Sequence, residues 1–185
     1  MICASDAVAA RIDELQFDLG EGPRREALRS RTPVLIPHLG TASHSMWPVF
    51  AKALANLDVS ALFVFPLVLG AMDVGVAELY SSTPGGLSAA DQSTAMQLAD
   101  ATTWHLLREI LTLVPGEDTD TPQDRSHLSR REVHQATGMV LAQTGRSATD
   151  ALLLMRAHAF SQGRTVREVA RDVVSRRLDF TPPPV

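Results

Sequence analysis

A chain of 185 residues, 45% hydrophobic and 21% charged with a formal net charge of −4, has the composition of a soluble globular protein and room for one medium domain or two small ones. Its single cysteine, Cys3, excludes an internal disulfide framework and a Cys-rich zinc site, and fits a reducing cytoplasm. No apolar run approaches the roughly 20 residues that span a bilayer, and the first residues lack the basic head and apolar run of a secretory signal. The charge is divided unevenly. Residues 125–185 hold ten Arg, no Lys and five acidic residues, a formal +5, whereas residues 1–124 hold seven basic and sixteen acidic residues, a formal −9. Such a reversal predicts two modules with different partners.

In chain order, Ser5 is placed to cap a short helix with Val8, Ile12 and Leu15 on its apolar face. Gly20-Glu21-Gly22-Pro23 ends it in a turn. Val34, Leu35 and Ile36, between Pro33 and Pro37, form a short strand. A helix over 47–57 puts Trp47, Phe50, Ala51 and Leu54 on one face, with Pro48 in its first turn. Two β-rich runs, 61–69 and 74–80, make a hairpin around the four-residue loop Gly70-Ala71-Met72-Asp73. Pro66 favours an edge position or a break. After a loop at 82–86, Ser88 with Asp91 opens a long helix to about residue 113, burying Met96, Leu98, Ala99, Thr103, Leu106, Ile110 and Leu113. Helix, strand, helix, hairpin and long helix make an α+β sheet domain.

This half carries no catalytic pattern. His38 and His44 sit in a loop with Thr41, Ser43 and Ser45 and lack further metal ligands at suitable spacing. His105 reads as a partly exposed helix residue. Asp13, Glu14 and Asp18 read as the solvated side of the first helix, and Gly20-x-Gly22 is too short for a nucleotide loop.

Ala4-Ser5-Asp6, Glu14-Leu15-Gln16-Phe17, Leu19-Gly20-Glu21-Gly22-Pro23, Trp47-Pro48, Phe65-Pro66-Leu67 with Gly70, and Gly75-Val76 with Leu79-Tyr80 together resemble a GAF domain. The resemblance implies a small-molecule sensing fold. GAF domains usually open with another helix and at least one strand, so this half is expected to be incomplete, by nature or because the true start lies upstream of Met1. A missing strand would leave an open sheet edge, with Phe63-Val64-Phe65 most exposed to pairing or aggregation.

Residues 115–124, acidic and flanked by prolines, have linker composition. Three helices follow. The first is predicted over 128–144, with Gly145 as its C′ residue. Ser147 with Asp150 caps the second, which turns Ala151, Leu152, Leu154, Met155 and Ala159 inward and stops near Gly163. Thr165 with Glu168 caps the third, whose Val166, Val169, Ala170, Val173, Val174 and Leu178 follow helical spacing. Pro182-Pro183-Pro184 stops it. A small basic bundle of this kind could read DNA, dock a protein or bind RNA.

Ala136-Thr137-Gly138-Met139-Val140, Gly145 before Ser147, Asp150-Ala151, Leu154-Met155-Arg156 with Ala159, and Val169-Ala170 with Val173-Val174 resemble an ANTAR domain of the actinobacterial type. Many relatives carry Lys where this chain has Thr137. The resemblance implies an α+β GAF-like antiparallel sheet domain, incomplete, over 1–113, a linker over 114–125 and an all-α three-helix ANTAR bundle over 126–181. It implies a cytoplasmic transcription antitermination regulator, not an enzyme, that binds hairpin RNA stoichiometrically. It also implies a homodimer with the long helix as seam, a small-molecule ligand for the GAF-like half, no cofactor, no metal and no membrane. The candidate RNA-binding residues are Arg130, Arg131, Gln135, Thr137, Gly138, Arg156, Arg164 and Arg167. Among them Gly138 is first expected to serve close helix packing, and Arg156 either reaches RNA or pairs with an acid such as Asp150. Arg side chains can also stack on unpaired bases. The alternative is a sensor that signals by protein–protein contact through its helical half.

Overall fold

The computed structural model describes residues 3–40, 46–112 and 124–181, except for the side chains of 110–112 and 124–130. Thr41, Ser43, His44 and Ser45, Leu113, linker residues 115–123 and Pro182-Pro183-Pro184 lie outside the described residues, as do the side chains of Ile110 and Arg130. The chain divides into two compact units, one built on Ser5–Phe17 and Glu21–Thr119, the other on the C-terminal helices with Asp18–Gly20.

The first unit opens with α1 (Ala7–Leu19), capped by Asp6 rather than Ser5. Asp6 Oδ1 accepts the Ala9 N–H at 2.8 Å, and the Ser5 hydroxyl only supports the other carboxylate oxygen. A carboxylate satisfies an orphan N–H and also answers the positive end of the helix. The glycine turn after α1 leads straight into a helix that the sequence reading missed, α2 (Pro23–Ser30), with Pro23 in its first turn and Ala27 buried. Gln16 is the knot between these helices and the sheet. Its Nε2 donates to both carboxylate oxygens of Glu78 at 3.0 and 2.9 Å, and its Oε1 accepts the Arg24 N–H at 3.0 Å. Arg24 also pairs with Glu78 at 3.1 Å and with Asp13. Asp13 is therefore a half-buried ion-pair partner, not part of a solvated side. Arg31, left-handed at φ 55, ends α2 and donates to the Ala71 carbonyl at 2.8 Å.

Strand β1 (Val34–Ile36) precedes α3 (Pro48–Leu54), which is shorter than predicted. Its last turn tightens into i→i+3 bonds, Asn56 N–H to Ala53 O and Leu57 N–H to Leu54 O. No side chain of its own caps α3; Glu21 Oε1 accepts the Phe50 N–H at 2.7 Å. Strands β2 (Ala61–Leu69) and β3 (Met72–Ser81) complete an antiparallel sheet of order β1-β2-β3. The hairpin loop is the two residues Gly70 and Ala71, not four, because Leu69 pairs with Met72. Glycine with φ 55 in the first loop position suits a two-residue turn that matches strand twist. Pro66 neither breaks β2 nor sits on an edge strand. β1 ends its register at Val64, so Pro66 pairs only with Val76 and no β1 residue needs its missing N–H. Phe63 and Val64 pair on both sides, and Phe63-Val64-Phe65 is buried throughout, so the run expected at an open edge lies mid-sheet.

One face of β2, Ala61, Phe63, Phe65 and Leu67, packs against Ala99 of α4 (Ala89–Thr112), with Leu87, Ala95 and Leu106 around them. Ser88 opens α4 as predicted, accepting the Asp91 N–H at 3.1 Å. Met96 and Leu98, expected inside, are 51% and 62% exposed, since the stripe that meets the sheet runs through Ala95, Ala99, Thr103 and Leu106.

The second unit holds α5 (Asp124–Thr144), α6 (Ala148–Ser161) and α7 (Val166–Val174). α5 starts four residues before the predicted 128, taking in the acidic end of the expected linker. Val133, Ala136, Val140, Ala151, Met155, Ala159, Val166, Val169, Ala170 and Val173 are buried and form its core. Gly145 at φ 67 and Gly163 at φ 62 turn the chain between helices. Leu152, Leu154, Val174 and Leu178, expected inside, stop at half-burial.

Candidate nucleic-acid interface

Helix α5 presents Arg131, His134, Gln135, Gly138, Leu141 and Ala142 outward, at spacings that make one continuous stripe. Gly138 lies in its middle. A Cβ built there meets no heavy atom within 4 Å, so the expected role in close helix packing does not hold. A glycine in a helix interior costs about 1 kcal/mol relative to alanine. Thr137, next to it, faces the other way. It is buried, its hydroxyl donates to the Val133 carbonyl at 2.7 Å, and Oγ1 stands 3.9 Å from Met155 Sδ.

The remaining candidates belong to α6 and α7. Arg156 is half-buried on α6, and a Cβ added at Gly20 would stand 2.8 Å from its Nη1, so the guanidinium lies against the Gly20 backbone. Asp150, the expected acid partner, is engaged in the α6 cap, accepting from the Ser147 hydroxyl at 2.7 Å. Arg164 bonds Asp172 Oδ2 at 2.6 Å, and Arg177 bonds Oδ1 of the same carboxylate at 2.6 and 2.9 Å. Those bonds, that from Arg164 first, hold the Asp172 carboxyl below its ordinary value. Arg167 is half-buried in the first turn of α7, which begins with a full capping box between Thr165 and Glu168. The Thr165 backbone N–H, then its hydroxyl, lowers the Glu168 carboxyl.

The structure thus gathers Arg131, Gln135 and Gly138 on one open face, turns Thr137 inward and engages Arg164 in an ion pair. Exposed Arg146 and Arg176 extend the basic surface beyond the residues singled out from sequence, whereas Arg171 and Arg177, also exposed, pair with Glu132 and Asp172. Leu153 and Phe160, 61% and 66% exposed on α6, were missed as well. The available signal was that each breaks the inward pattern of Ala151, Met155 and Ala159. Among the described residues, no group of His, Cys, Asp and Glu could hold a metal ion, and no helix is long and apolar enough to cross a membrane. This surface offers donors, a flat helical stretch and positive charge; those are means of binding a polyanion.

Two family models match the chain in succession. The GAF domain model matches residues 1–103, and the ANTAR domain model matches residues 125–174. No curated protein matches. Among solved structures, the chain is similar to a domain of a protein assigned as a two-component sensor histidine kinase from Sinorhizobium meliloti 1021, at 15% identity and a TM-score of 0.38, over 66% of this chain and 93% of that one. ANTAR domains are RNA-binding antitermination modules and GAF domains are sensing modules, and this chain belongs to the GAF domain family, with an ANTAR domain following its GAF domain.

Proposed function

We propose that the chain is a cytoplasmic transcription antitermination regulator: its ANTAR domain binds hairpin RNA in a nascent transcript and keeps a terminator from forming, under control of its GAF domain. The observation that carries this reading is Gly138, exposed in mid-helix with open space around it, with Gln135, His134 and Ala142 about one turn away and Arg131 two turns away on the same face. A bare backbone patch flanked by donors lets a sugar-phosphate backbone approach more closely than any side chain would permit. Arg130, Arg131, Gln135 and Gly138 supply the contacts, Arg156 and Arg167 add to the field, Arg164 is held by Asp172 and serves the fold, and Thr137 acts from inside by setting how α5 packs on α6. The protein works by binding, not turnover, and needs no cofactor. A small molecule in the GAF domain is the signal. Leu98 and Trp104, both 62% exposed on α4, support a homodimer seamed along that helix.

Filter binding of the full chain to a two-hairpin RNA and to a matched duplex DNA tests the reading. Preference for the hairpin RNA is the expected result. Equal affinity for both would point to general polyanion binding, and no affinity for either would favour a protein-docking sensor.

A further inference from the structure

Residues 125–185 contain two aromatic residues, Phe160 and Phe180, and neither is used in the core, which is built from valine, alanine and methionine. Phe180 is engaged: its ring meets the His158 ring edge-on, centroids 5.5 Å apart, and its N–H donates to Gln143 Oε1 at 3.1 Å. Phe160 is 66% exposed in the last turn of α6. Leu153, Arg156 and Phe160 stand at i, i+3 and i+7, so they share one stripe of that helix. The chain beside the ring is open. Ser161, Gln162 and Gly163 are exposed, and a Cβ added at Gly163 meets no atom within 4 Å. Exposing an aromatic ring to water in this way forfeits the stabilisation its burial would contribute.

We propose that Phe160 is a base-stacking residue, on which an unpaired base of the hairpin loop lies in the bound state. This rests on the RNA-binding reading above and deepens it. Charge favours RNA as the occupant: the ring stands in a segment of formal charge +5, which draws a polyanion. Stacking on an aromatic ring needs no particular base edge, so Phe160 would add affinity for a looped-out base while the α5 face holds the backbone.

The test uses the full chain and a pool of hairpin RNAs with a fixed stem and randomised loop, from which the tightest binder is taken and 2-aminopurine is placed at each loop position in turn. Phe160→Ala is expected to weaken that hairpin by about tenfold or more, the range typical of one lost base–aromatic stack. One loop position should lose its fluorescence quenching, and the melting temperature should be unchanged. Phe160→Trp should retain both affinity and quenching. Unchanged affinity and quenching in Phe160→Ala would overturn the inference while leaving the RNA-binding reading intact. Loss of self-association in that variant, with RNA affinity unchanged, would overturn it in favour of a second copy. If the wild-type chain selects no hairpin from the pool, the RNA-binding reading falls and this inference falls with it.

Discussion

Thr137 donates its hydroxyl to the Val133 carbonyl at 2.7 Å, one turn back along α5, and so spends its polar group inside the helical unit. That carbonyl lies on the α5 ladder, so the hydroxyl bond is an addition to the helix rather than its only support. Thr137→Val keeps the shape and removes the hydroxyl without stranding a partner. Its stability should stay within about 1 kcal/mol of the wild type, and hairpin affinity should not change. Thr137→Lys is the harsher change, because a buried position must release an ammonium group to water along a bent path; a lower melting temperature is expected. A Thr137→Val protein of normal stability that had lost its RNA affinity would show that the hydroxyl touches RNA after all.

Gly138 should behave in the opposite way. With open space where a Cβ would go, Gly138→Ala should stabilise the helical unit by about 1 kcal/mol, the usual alanine advantage in a helix interior. The same methyl stands where RNA backbone would approach, so affinity should fall several-fold, and Gly138→Leu should weaken it further. Urea melts and filter binding on the same preparations separate the two effects. Greater stability with undiminished binding would remove Gly138 from the interface.

Much of this was legible in the sequence where local chemistry decides the outcome. The capping residues Ser147, Thr165 and Ser88 lie within a turn of the groups they satisfy, so spacing alone locates them. The α7 stripe is legible for the same reason. What was not legible depended on distant partners. Asp13 looks solvated until Arg24 closes on it, and α3 has no visible cap because Glu21, far off in sequence, provides one. α2 was hidden by the glycines before it, although Pro23 is a start signal. The interface follows the same rule. The arginine excess could be counted, but which arginines are engaged depends on partners such as Asp172, and the emptiness around Gly138 is a three-dimensional fact.

Asp172 gives the C-terminal unit a predictable acid response. Hydrogen bonds from Arg164 and then Arg177 lower its carboxyl from an ordinary value of 3.8. A group depressed in the folded state stabilises above its unfolded value, and that contribution is lost as pH falls through the folded one. Asp172→Asn should therefore melt below the wild type at neutral pH, and the gap should close once pH drops through 3.8 and below. Thermal melts across that range check it. A gap that stays constant into acid would mean that the two arginines do not depend on the carboxylate charge.

The α4 surface makes a claim about assembly. Leu98 and Trp104 are too exposed to serve the sheet, and a homodimer seam would cover them. Leu98→Glu with Trp104→Glu should shift the full chain from dimer to monomer in sedimentation equilibrium, with the sheet unit still folded by circular dichroism. A wild-type chain that sediments as a monomer at all accessible concentrations would dismiss the seam.

Salt dependence gives the most direct measure of how RNA is held. Each cation that neutralises a phosphate releases counterions, so affinity should fall linearly with salt on a log–log plot. Arg131 is exposed on the same face as Gly138, and Arg164 is held by Asp172, so the two should differ. Arg131→Ala should flatten the slope by about one unit and weaken every hairpin alike, as loss of a phosphate contact does. Arg164→Ala should leave the slope nearly unchanged and lower the melting temperature instead, since it removes a half-buried ion-pair partner of Asp172. If both variants flatten the slope equally, the ion pair opens in the bound state, and Arg164 then belongs to the interface as fully as Arg131.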